Sequence, residues 1–391
     1  MRVVVVGQGY VGLPLAIAAA KSGHFVTGID TNIKLVEMLS GGRSTISDVS
    51  NHDIASTQVS GHYSISSDFA VIADAEIIII CVPTPLDKKR QPDLSYLENA
   101  LKAVGRHLAP NTLVINESTI APGTTRKVVA PILEESGIPF ELAYSPERID
   151  PANPKWNVTN TPKLVAGLTD AATKRAEEFY KTFISEVGTG SSLEVIETAK
   201  LLENSFRLIN ISFINELAQI CAQLNIDVRE VIDAAATKPY GFMPFYPSAG
   251  VGGHCIPVDP VYLAAKANEL GTPSRFIELA QEINLQIPDY FVGVATRLLG
   301  SLAGKKILVV GVAYKPNVAD TRETPAEGLI ETLRRAGADV EWHDDLVQEW
   351  NSETSTPLSD SFDLAILVNP HSDTDFSLLG STPVLNTRGG Y

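Results

Sequence analysis

Short apolar runs rich in β-branched residues recur through the first third of the chain, and each predicts a buried strand of a parallel sheet. These runs cover residues 2–6, 25–29, 76–82, 112–116 and 140–144. Residues 13–22 have the composition of a helix, which Gly23 ends. Strands that alternate with helices predict an α/β domain whose ligands bind beyond the carboxyl ends of the strands.

The middle of the chain has a different pattern. Residues 192–225 contain neither proline nor glycine and carry apolar side chains at helical spacing, which predicts one helix about 50 Å long. Such a helix bridges two lobes or forms a subunit interface, so we expect a homodimer through the central helices. Lys200 and Asn204 are four residues apart and share a face of this helix. A solvated face is the alternative interpretation, because polar groups are costly to bury without partners.

A glycine-rich turn joins the first predicted strand to the first helix. Gly7, Gly9 and Gly12 form a Gly-x-Gly-x-x-Gly motif, and Asp30 ends the next strand. Such glycines allow close approach of a pyrophosphate, and the acid accepts hydrogen bonds from a ribose. Thr31 follows where an arginine would favour a 2′-phosphate. The motif therefore predicts a Rossmann-like domain that binds NAD rather than NADP.

The C-terminal part of the chain returns to an α/β pattern. Apolar runs at 305–311, 339–343 and 364–368 predict strands, and no second glycine motif follows the first of them. The predicted fold is α/β, with two Rossmann-like parallel-sheet domains joined by a central helical domain. The expected domain boundaries are 1–191, 192–296 and 297–391.

Composition narrows the class of protein. The net charge of −15 disfavours nucleic acid as a partner. Three widely spaced cysteines without paired Cys/His motifs favour a reduced, cytoplasmic protein without a metal site. The apolar runs are shorter than the ~18 residues of a membrane helix, and the chain enters a strand at once. We therefore expect neither a membrane span nor a signal peptide.

Cys255 lies in a loop of glycines and prolines at residues 250–260. The glycines let the backbone approach a ligand closely, and a carboxylate at Asp259 is placed to orient a water or a neighbouring base. A thiol in such a loop, in a chain with a dinucleotide motif, predicts an oxidation that passes through a covalent thiol adduct.

Polar groups also follow several predicted strands. They are Pro83 and Thr84 beside the expected nicotinamide position, the hydroxyls of Ser118 and Thr119, the adjacent Glu147 and Arg148, and the basic groups Lys315 and Arg322 in the C-terminal domain. An anionic ligand suits the basic groups. A rigid strand exit is the alternative for residues 83–85, and a surface ion pair is the alternative for Glu147 and Arg148.

The chain resembles the UDP-glucose/GDP-mannose dehydrogenase family along essentially its whole length. The motifs that carry the resemblance are GQGYVGLP at 7–14, VPTP at 82–85, ESTIAPGTT at 117–125, SPER at 145–148, KLLENSFR at 200–207, GVGGHCIPVDP at 250–260 and GVAYKPNVADTRETP at 311–325. SPER together with GGHCIP is most similar to the branch that oxidises UDP-N-acetylhexosamines. The resemblance implies UDP-N-acetyl-D-mannosamine as the leading substrate, UDP-N-acetylglucosamine close behind, and UDP-glucose ranked lower.

The resemblance also implies a reaction at the sugar C6. The alcohol is oxidised to an aldehyde, Cys255 captures it as a thiohemiacetal, a second oxidation gives a thioester, and water releases the uronic acid; two NAD are used per turnover. Lys200 and Asn204 are expected to stabilise the oxyanion, with Lys200 also favouring the thiolate. Asp259 positions or activates a water or Lys200, and Glu147 is the base of thioester hydrolysis or its orienter.

Binding roles follow by the same resemblance, with the UDP part held by the C-terminal domain. The implied cofactor-binding residues are Gly7, Gly9, Tyr10, Val11, Gly12, Asp30, Lys34, Pro83, Thr84, Ser118, Thr119 and Arg322, the last from a neighbouring subunit or domain as one option. The implied substrate-binding residues are Glu147, Arg148, Lys200, Asn204, Tyr246, Gly252, His254 and Lys315. For His254, assistance to the thiol or a purely structural position are alternatives. Cys81 and Cys221 are expected to be structural.

Two other classes of function stay open. A single-hydride dehydrogenase of the 6-phosphogluconate type shares a dinucleotide domain and a long helix but uses no thiol, and the Cys255 loop and the second α/β domain argue against it. A non-catalytic nucleotide-sugar sensor would need no nucleophile. Substitution of Cys255 by serine separates these possibilities.

Overall fold

The chain divides after Leu202 into two compact units. The structure, a computed structural model, describes residues 1–389. Within that range no helix has both the length and the hydropathy that a membrane crossing requires.

The first unit is built on a twisted sheet in the order β3-β2-β1-β4-β5-β6-β7-β8. Its strands are β1 (Arg2–Val6), β2 (Phe25–Ile29), β3 (Tyr63–Ser66), β4 (Ile77–Ile80), β5 (Thr112–Asn116), β6 (Phe140–Tyr144), β7 (Lys163–Gly167) and β8 (Val187–Thr189). Neighbouring strands are parallel except β6 and β7, which are antiparallel. From β1 the chain adds β2 and β3 on one side of the sheet and then β4 and β5 on the other. Open α/β sheets bind their ligands at such a change of side.

Helices cover both faces of this sheet, as its buried apolar central strands require. They are α1 (Gly12–Lys21), α2 (Ile33–Ser40), α3 (Asn51–Val59), α4 (Ser95–Gly105), α5 (Ala130–Glu134) and α6 (Asp170–Tyr180), with a 3₁₀ turn at Phe69–Asp74 and a π turn at Thr125–Val129. Val3 and Val5 belong to the core on one face, and Val4 and Val6 to the core on the other. Alternate residues of one strand thus fill two separate layers.

A single helix, α7 (Leu193–Leu224), spans 32 residues and continues from the first unit into the second. Its first turns belong to the core of the first unit through Leu193 and Ile196. Glu197 is buried there, and its carboxylate accepts hydrogen bonds from the backbone amides of Gly123 and Thr125 at 2.5 and 2.9 Å. The predicted long helix is therefore confirmed.

The second unit contains helices and a smaller parallel sheet in the order β10-β9-β13-β14. Its elements are α8 (Val228–Ala236), α9 (Asp259–Glu269), α10 (Arg275–Leu299), β9 (Lys306–Val310), α11 (Pro325–Arg335), β10 (Asp339–His343), a hairpin of β11 (Glu349–Trp350) and β12 (Glu353–Thr354), β13 (Leu364–Leu367), a 3₁₀ turn at Phe376–Leu379 and β14 (Val384–Asn386). Trp342 and Phe291 lie in the core that α10 and α11 form with this sheet.

The predicted fold class is confirmed: two sheets of Rossmann-like topology, with a helical region and a long helix in the chain between them. The apolar runs of the sequence correspond to β1, β2, β4, β5, β6, β9, β10 and β13. The reversal of β7 lies outside those predictions. The three-part domain division stays a prediction.

Candidate active site

Two glycines shape the turn between β1 and α1. Gly7 has a φ of +92°, and a Cβ added to it would lie 2.5 Å from the carbonyl oxygen of Cys81. A Cβ on Gly12 would lie 1.8 Å from the carbonyl oxygen of Gly7, so the helix packs on the strand as closely as two backbones allow. A Cβ on Gly9 would meet no atom of the described residues within 4 Å. The turn is therefore closed on the protein side and open where a pyrophosphate would approach.

Asp30 is held rigidly at the end of β2. Its Oδ2 accepts a hydrogen bond from the backbone amide of Gln8 at 2.9 Å, and its Oδ1 accepts one from the amide of Asn32 at 2.9 Å. A cavity of about 350 Å³ borders Asp30, Thr31 and Pro83 at the point where the strand order reverses. Its volume falls in the range of small-molecule sites. The open turn, the fixed carboxylate and the cavity together fit the adenosine half of a dinucleotide.

The other predicted cofactor residues lie near this edge with different exposures. Ser118 is buried, and its hydroxyl donates to the carbonyl oxygen of Val82 at 2.7 Å, which ties the end of β5 to the end of β4. Thr84 is buried, whereas Pro83 is exposed. Tyr10, Val11 and Thr119 are half-buried, and Lys34 is exposed in the first turn of α2.

Glu147 follows β6 at the same edge of the sheet. Its Oε1 accepts hydrogen bonds from the backbone amides of Arg148 and Ile149, both at 2.5 Å. The Arg148 guanidinium donates to the carbonyl oxygen of Pro162 at 2.7 Å. The structure also brings Lys163 to this position, 3.8 Å from Oε2 of Glu147. The sequence interpretation missed Lys163, although a lysine at the start of an apolar run was the available signal.

In the second unit, Cys255 is exposed, whereas Cys221 is buried. The carbonyl oxygen of Cys255 accepts a hydrogen bond of 2.8 Å from the amide of Asp259, the first residue of α9. The Asp259 carboxylate is buried and accepts a hydrogen bond from the side-chain amide of Asn204 at 2.6 Å. The structure therefore brings Asn204 and Asp259 together directly behind the cysteine turn.

Three side chains or backbone groups hold the cysteine loop in place. The amide of Val251 donates to Asn284 in α10 at 2.7 Å, and the amide of Ser248 donates to Asn215 in α7 at 2.8 Å. The amide of Gly253 donates to the carbonyl oxygen of Arg322 at 3.2 Å. A loop fixed from several elements keeps its geometry as a binding or catalytic segment must. Asn215 and Asn284 were not among the predicted site residues.

His254 lies beside a charged pair. The Arg322 guanidinium binds the Asp320 carboxylate, with Nη2 to Oδ2 at 2.6 Å and Nε to Oδ1 at 3.0 Å. Burial lowers the pKa of His254, and the positive charge of Arg322 lowers it further. The imidazole therefore favours its neutral form, which suits hydrogen bonding to a polar sugar better than charge stabilisation of a thiolate.

The loop that carries Lys315 is anchored by a buried histidine. His371 Nδ1 accepts a hydrogen bond from the amide of Asn317 at 2.8 Å, which leaves Nε2–H to donate to Asp344 at 2.7 Å. The sequence analysis did not predict this pair, because nothing in the sequence relates His371 to Asp344.

Tyr246 lies elsewhere in the unit, where its hydroxyl donates to Asp233 at 3.1 Å and its ring faces Arg229. Gly252 is packed so tightly that a Cβ would lie 2.7 Å from Pro325.

The sheet topology and the open glycine turn are typical of dinucleotide-dependent dehydrogenases. The same chain presents an exposed thiol on a fixed glycine loop, which is typical of enzymes that bind their substrate covalently through cysteine. The chain belongs to the UDP-glucose/GDP-mannose dehydrogenase family. It matches the NAD-binding domain of that family over residues 1–184, the central domain over 194–286 and the UDP-binding domain over 308–376. It is an NAD-dependent oxidoreductase of UDP-sugars, and the family reaction uses two NAD per turnover.

Individual relatives agree with this assignment. A UDP-N-acetyl-D-glucosamine 6-dehydrogenase of Pseudomonas aeruginosa is 34% identical over 95% of this chain and 91% of its own length. A UDP-N-acetyl-D-mannosamine dehydrogenase of Pyrococcus horikoshii is 34% identical over 89% and 84%. Among solved structures, a UDP-D-ManNAc dehydrogenase from Pyrococcus horikoshii superposes with a TM-score of 0.92 at 30% identity, covering 99% of this chain and 95% of the other.

Proposed function

We propose that this protein oxidises UDP-N-acetyl-D-mannosamine at C6 to the uronic acid in two successive two-electron steps. The exposed thiol of Cys255 on its fixed loop is the observation that carries the proposal. Burial and the nearby Glu117 raise the pKa of the Cys81 thiol well above its ordinary value, so Cys81 stays protonated. Cys221 is buried, which leaves Cys255 as the nucleophile.

The proposed reaction passes through two covalent intermediates on Cys255. The C6 alcohol loses a hydride and a proton to give an aldehyde, and the Cys255 thiol adds across the carbonyl to give a thiohemiacetal. Loss of a second hydride and proton gives the thioester, and water cleaves its C–S bond to release the carboxylate and the thiol. NAD, when bound, accepts one hydride in each oxidation. The turn around Gly9 and the Asp30 carboxylate would hold the cofactor.

The remaining catalytic roles fall to polar groups on α7 and at the strand ends. Lys200 and Asn204 would stabilise the oxyanion that forms on each addition to the carbonyl. Asn204 also binds the buried Asp259 carboxylate, which would position Lys200 or the hydrolytic water. Glu147 has one carboxylate oxygen fixed by two backbone amides, and it would take the proton from that water.

UDP-N-acetylglucosamine is the second candidate substrate. Relatives named for the mannosamine and the glucosamine sugar are both 34% identical to this chain, so identity does not separate them. The relative named for the glucosamine sugar aligns with more of the chain, 95% against 89%. The two sugars differ only in configuration at C2, so discrimination would depend on the contacts of the acetamido group.

The decisive experiment measures NADH formed per sugar consumed, with UDP-N-acetylmannosamine, UDP-N-acetylglucosamine and UDP-glucose in parallel. Two NADH per sugar, with the mannosamine substrate preferred, supports the proposal. A preference for the glucosamine substrate selects the second candidate. One NADH per sugar contradicts the thioester mechanism, and no turnover with any of the three moves the assignment to another nucleotide sugar or to a sensor.

We also propose a homodimer formed through α7, in a cytoplasmic enzyme. Several large apolar side chains of this helix are exposed in the single chain, namely Leu202, Phe206, Phe213, Ile220 and Leu224. Apolar side chains repeated along one helix are costly to leave in water and are typical of subunit interfaces. Sedimentation should give twice the chain mass for the native protein and the chain mass for Phe213→Asp.

A further inference from the structure

A buried group of charged side chains lies at the carboxyl-terminal edge of the first sheet. The topology explains how it assembles. Ala143 pairs with Gly167 and Tyr144 with Ala166 in the antiparallel register of β6 and β7. Continuing that register past the end of β6 brings Lys163, the first residue of β7, opposite Glu147. An antiparallel strand thus delivers its first residue to the edge where the parallel strands end.

The contacts within this group are short. The ammonium Nζ of Lys163 lies 2.7 Å from Oε2 of Glu117 and 3.8 Å from Oε2 of Glu147. The Tyr180 hydroxyl donates to Oε1 of Glu117. The side chains are withdrawn from solvent, with exposures of 6% for Lys163, 0% for Glu117 and 14% for Glu147. One ammonium therefore faces two carboxylates in a region of little water.

Burial and the charged neighbours act in opposite directions on this group. Although burial alone would lower it, the pKa of Lys163 is raised because Glu117 and Glu147 favour the ammonium. Burial raises the pKa of Glu117, which Lys163 partly offsets. Burial and Glu117 also raise the pKa of Tyr180, which stays a phenol. An uncompensated charge here would be costly, so the Lys163 ammonium is the counter-charge that accompanies the carboxylates buried at this edge.

The two carboxylates differ in how their oxygens are used. Both oxygens of Glu117 are bound, one by Lys163 and one by Tyr180. Glu147 has Oε1 fixed by two backbone amides, while its Oε2 accepts no hydrogen bond from the part of the chain that the structure describes. Glu117 therefore serves as the counter-ion of Lys163, and Glu147 keeps an oxygen available for a proton.

We propose that Lys163, held by Glu117 and Tyr180, is a positioning residue whose ammonium, 3.8 Å from Oε2 of Glu147, orients the Glu147 carboxylate for proton transfer at that oxygen. This rests on the function proposed above, in which Glu147 is the base of thioester hydrolysis. The other ionisable neighbours are Cys81, a protonated thiol, and Arg148, whose guanidinium is bound to Pro162.

The test follows the thioester directly. Enzyme, UDP-N-acetylhexosamine and excess NAD are mixed, quenched in acid and weighed by mass spectrometry, which gives the decay of the adduct on Cys255 from pH 5 to 9. In Lys163→Met, the Glu147 carboxylate loses the attraction of the ammonium, which favours its protonated form. We expect the acid limb of adduct decay to move up by about one pH unit, a tenfold slower decay below it. Lys163→Arg should restore most of the rate.

The Glu117→Gln variant should shift the acid limb of adduct decay in the opposite direction. It therefore tests the proposal even if Lys163→Met does not fold. The glutamine oxygen still accepts from Lys163, but the ammonium then acts on Glu147 alone, so the acid limb should move down. Unchanged pH limbs in both variants, with only a lower melting temperature, would overturn the positioning role and leave a structural ion pair. If no adduct forms on Cys255 of the wild-type enzyme, or none accumulates in Glu147→Gln, the proposed function itself is contradicted.

Discussion

The side-chain amide of Asn204 in α7 donates a 2.6 Å hydrogen bond to the carboxylate of Asp259, the residue with which α9 begins. Both side chains are buried, and the amide of Asp259 also closes the turn that starts at Cys255. The long helix and the cysteine turn are thus joined by a charge-assisted hydrogen bond. The bond makes the geometry of the turn dependent on α7.

This contact predicts a separation between stability and activity. Asn204→Ala removes a donor from a buried carboxylate and should lower the free energy of unfolding by about 1–3 kcal/mol. Asp259→Asn keeps an oxygen that accepts from Asn204, so its stability should stay close to that of the wild type while kcat falls. Urea unfolding and steady-state kinetics measure the two effects. A loss of stability in both variants, with kcat unchanged in Asp259→Asn, would show that the carboxylate charge has only a structural role.

The glycine turn gives a matched pair of variants. Gly12→Ala would place a methyl group 1.8 Å from the Gly7 carbonyl oxygen, so we expect a loss of about 1–3 kcal/mol or more in stability. Gly9→Ala places its methyl in open space. It should melt at the wild-type temperature but lose NAD affinity, because the methyl fills the space a pyrophosphate needs. Calorimetry of NAD binding checks this, and wild-type affinity in Gly9→Ala would contradict the assigned cofactor site.

Thiol accessibility gives a third prediction. The chain has three cysteines, of which Cys255 is exposed and Cys221 is buried. The raised pKa of Cys81 keeps its thiol unreactive at neutral pH. Iodoacetamide should therefore modify the native protein once per chain, at Cys255, and not modify native Cys255→Ala. Urea should expose all three thiols of the wild type, and peptide mapping would reveal any labelling of Cys81 that contradicts its place in the buried charge cluster.

A fourth prediction concerns acid stability. Burial of Asp344 opposes its ionisation, but hydrogen bonds from His371 and the amide of Ala313 lower its pKa below the ordinary value. The folded-state pKa is therefore below the unfolded one, so Asp344 stabilises the fold above pH ~4 and loses that contribution as pH falls through the folded value. Asp344→Asn should cost about 3 kcal/mol at pH 7.

The difference between Asp344→Asn and the wild type should narrow as the pH drops below 4. Urea titrations from pH 3 to 7 measure it, with the exposed Asp373→Asn as the control that should show little change. A difference that stays constant down to pH 3 would mean that the packing of residue 344, and not its charge, accounts for the effect.

Much of the first unit could be predicted because its strands are short apolar runs that end in polar groups. Asp30 and Glu147 both lie at the carboxyl edge of the sheet, where the pattern placed them. Lys163 starts an apolar run instead of following one, and it reaches that edge because β7 runs antiparallel to β6. Sequence patterns give the period of a strand but not its direction.

The two asparagines that hold the cysteine loop in place were not predicted from the sequence, for a similar reason. Asn215 and Asn284 lie on separate helices and meet the loop only in the folded second unit. Polar residues on helices are common at the surface, so nothing in their local sequence distinguishes these two from solvated ones. Contacts between residues far apart in the chain depend on packing, which periodicity does not encode.

The unbroken length of α7 has a consequence for how this protein tolerates change. Lys200 and Asn204 lie one turn apart in a helix without interruption from Leu193 to Leu224. Each residue of a helix turns the chain by about 100°, so inserting one residue between them would rotate everything before it by that angle relative to everything after it. A deletion does the same in the opposite sense. The number of residues in this helix is thus itself part of the site's geometry, and substitutions here should be far better tolerated than insertions or deletions.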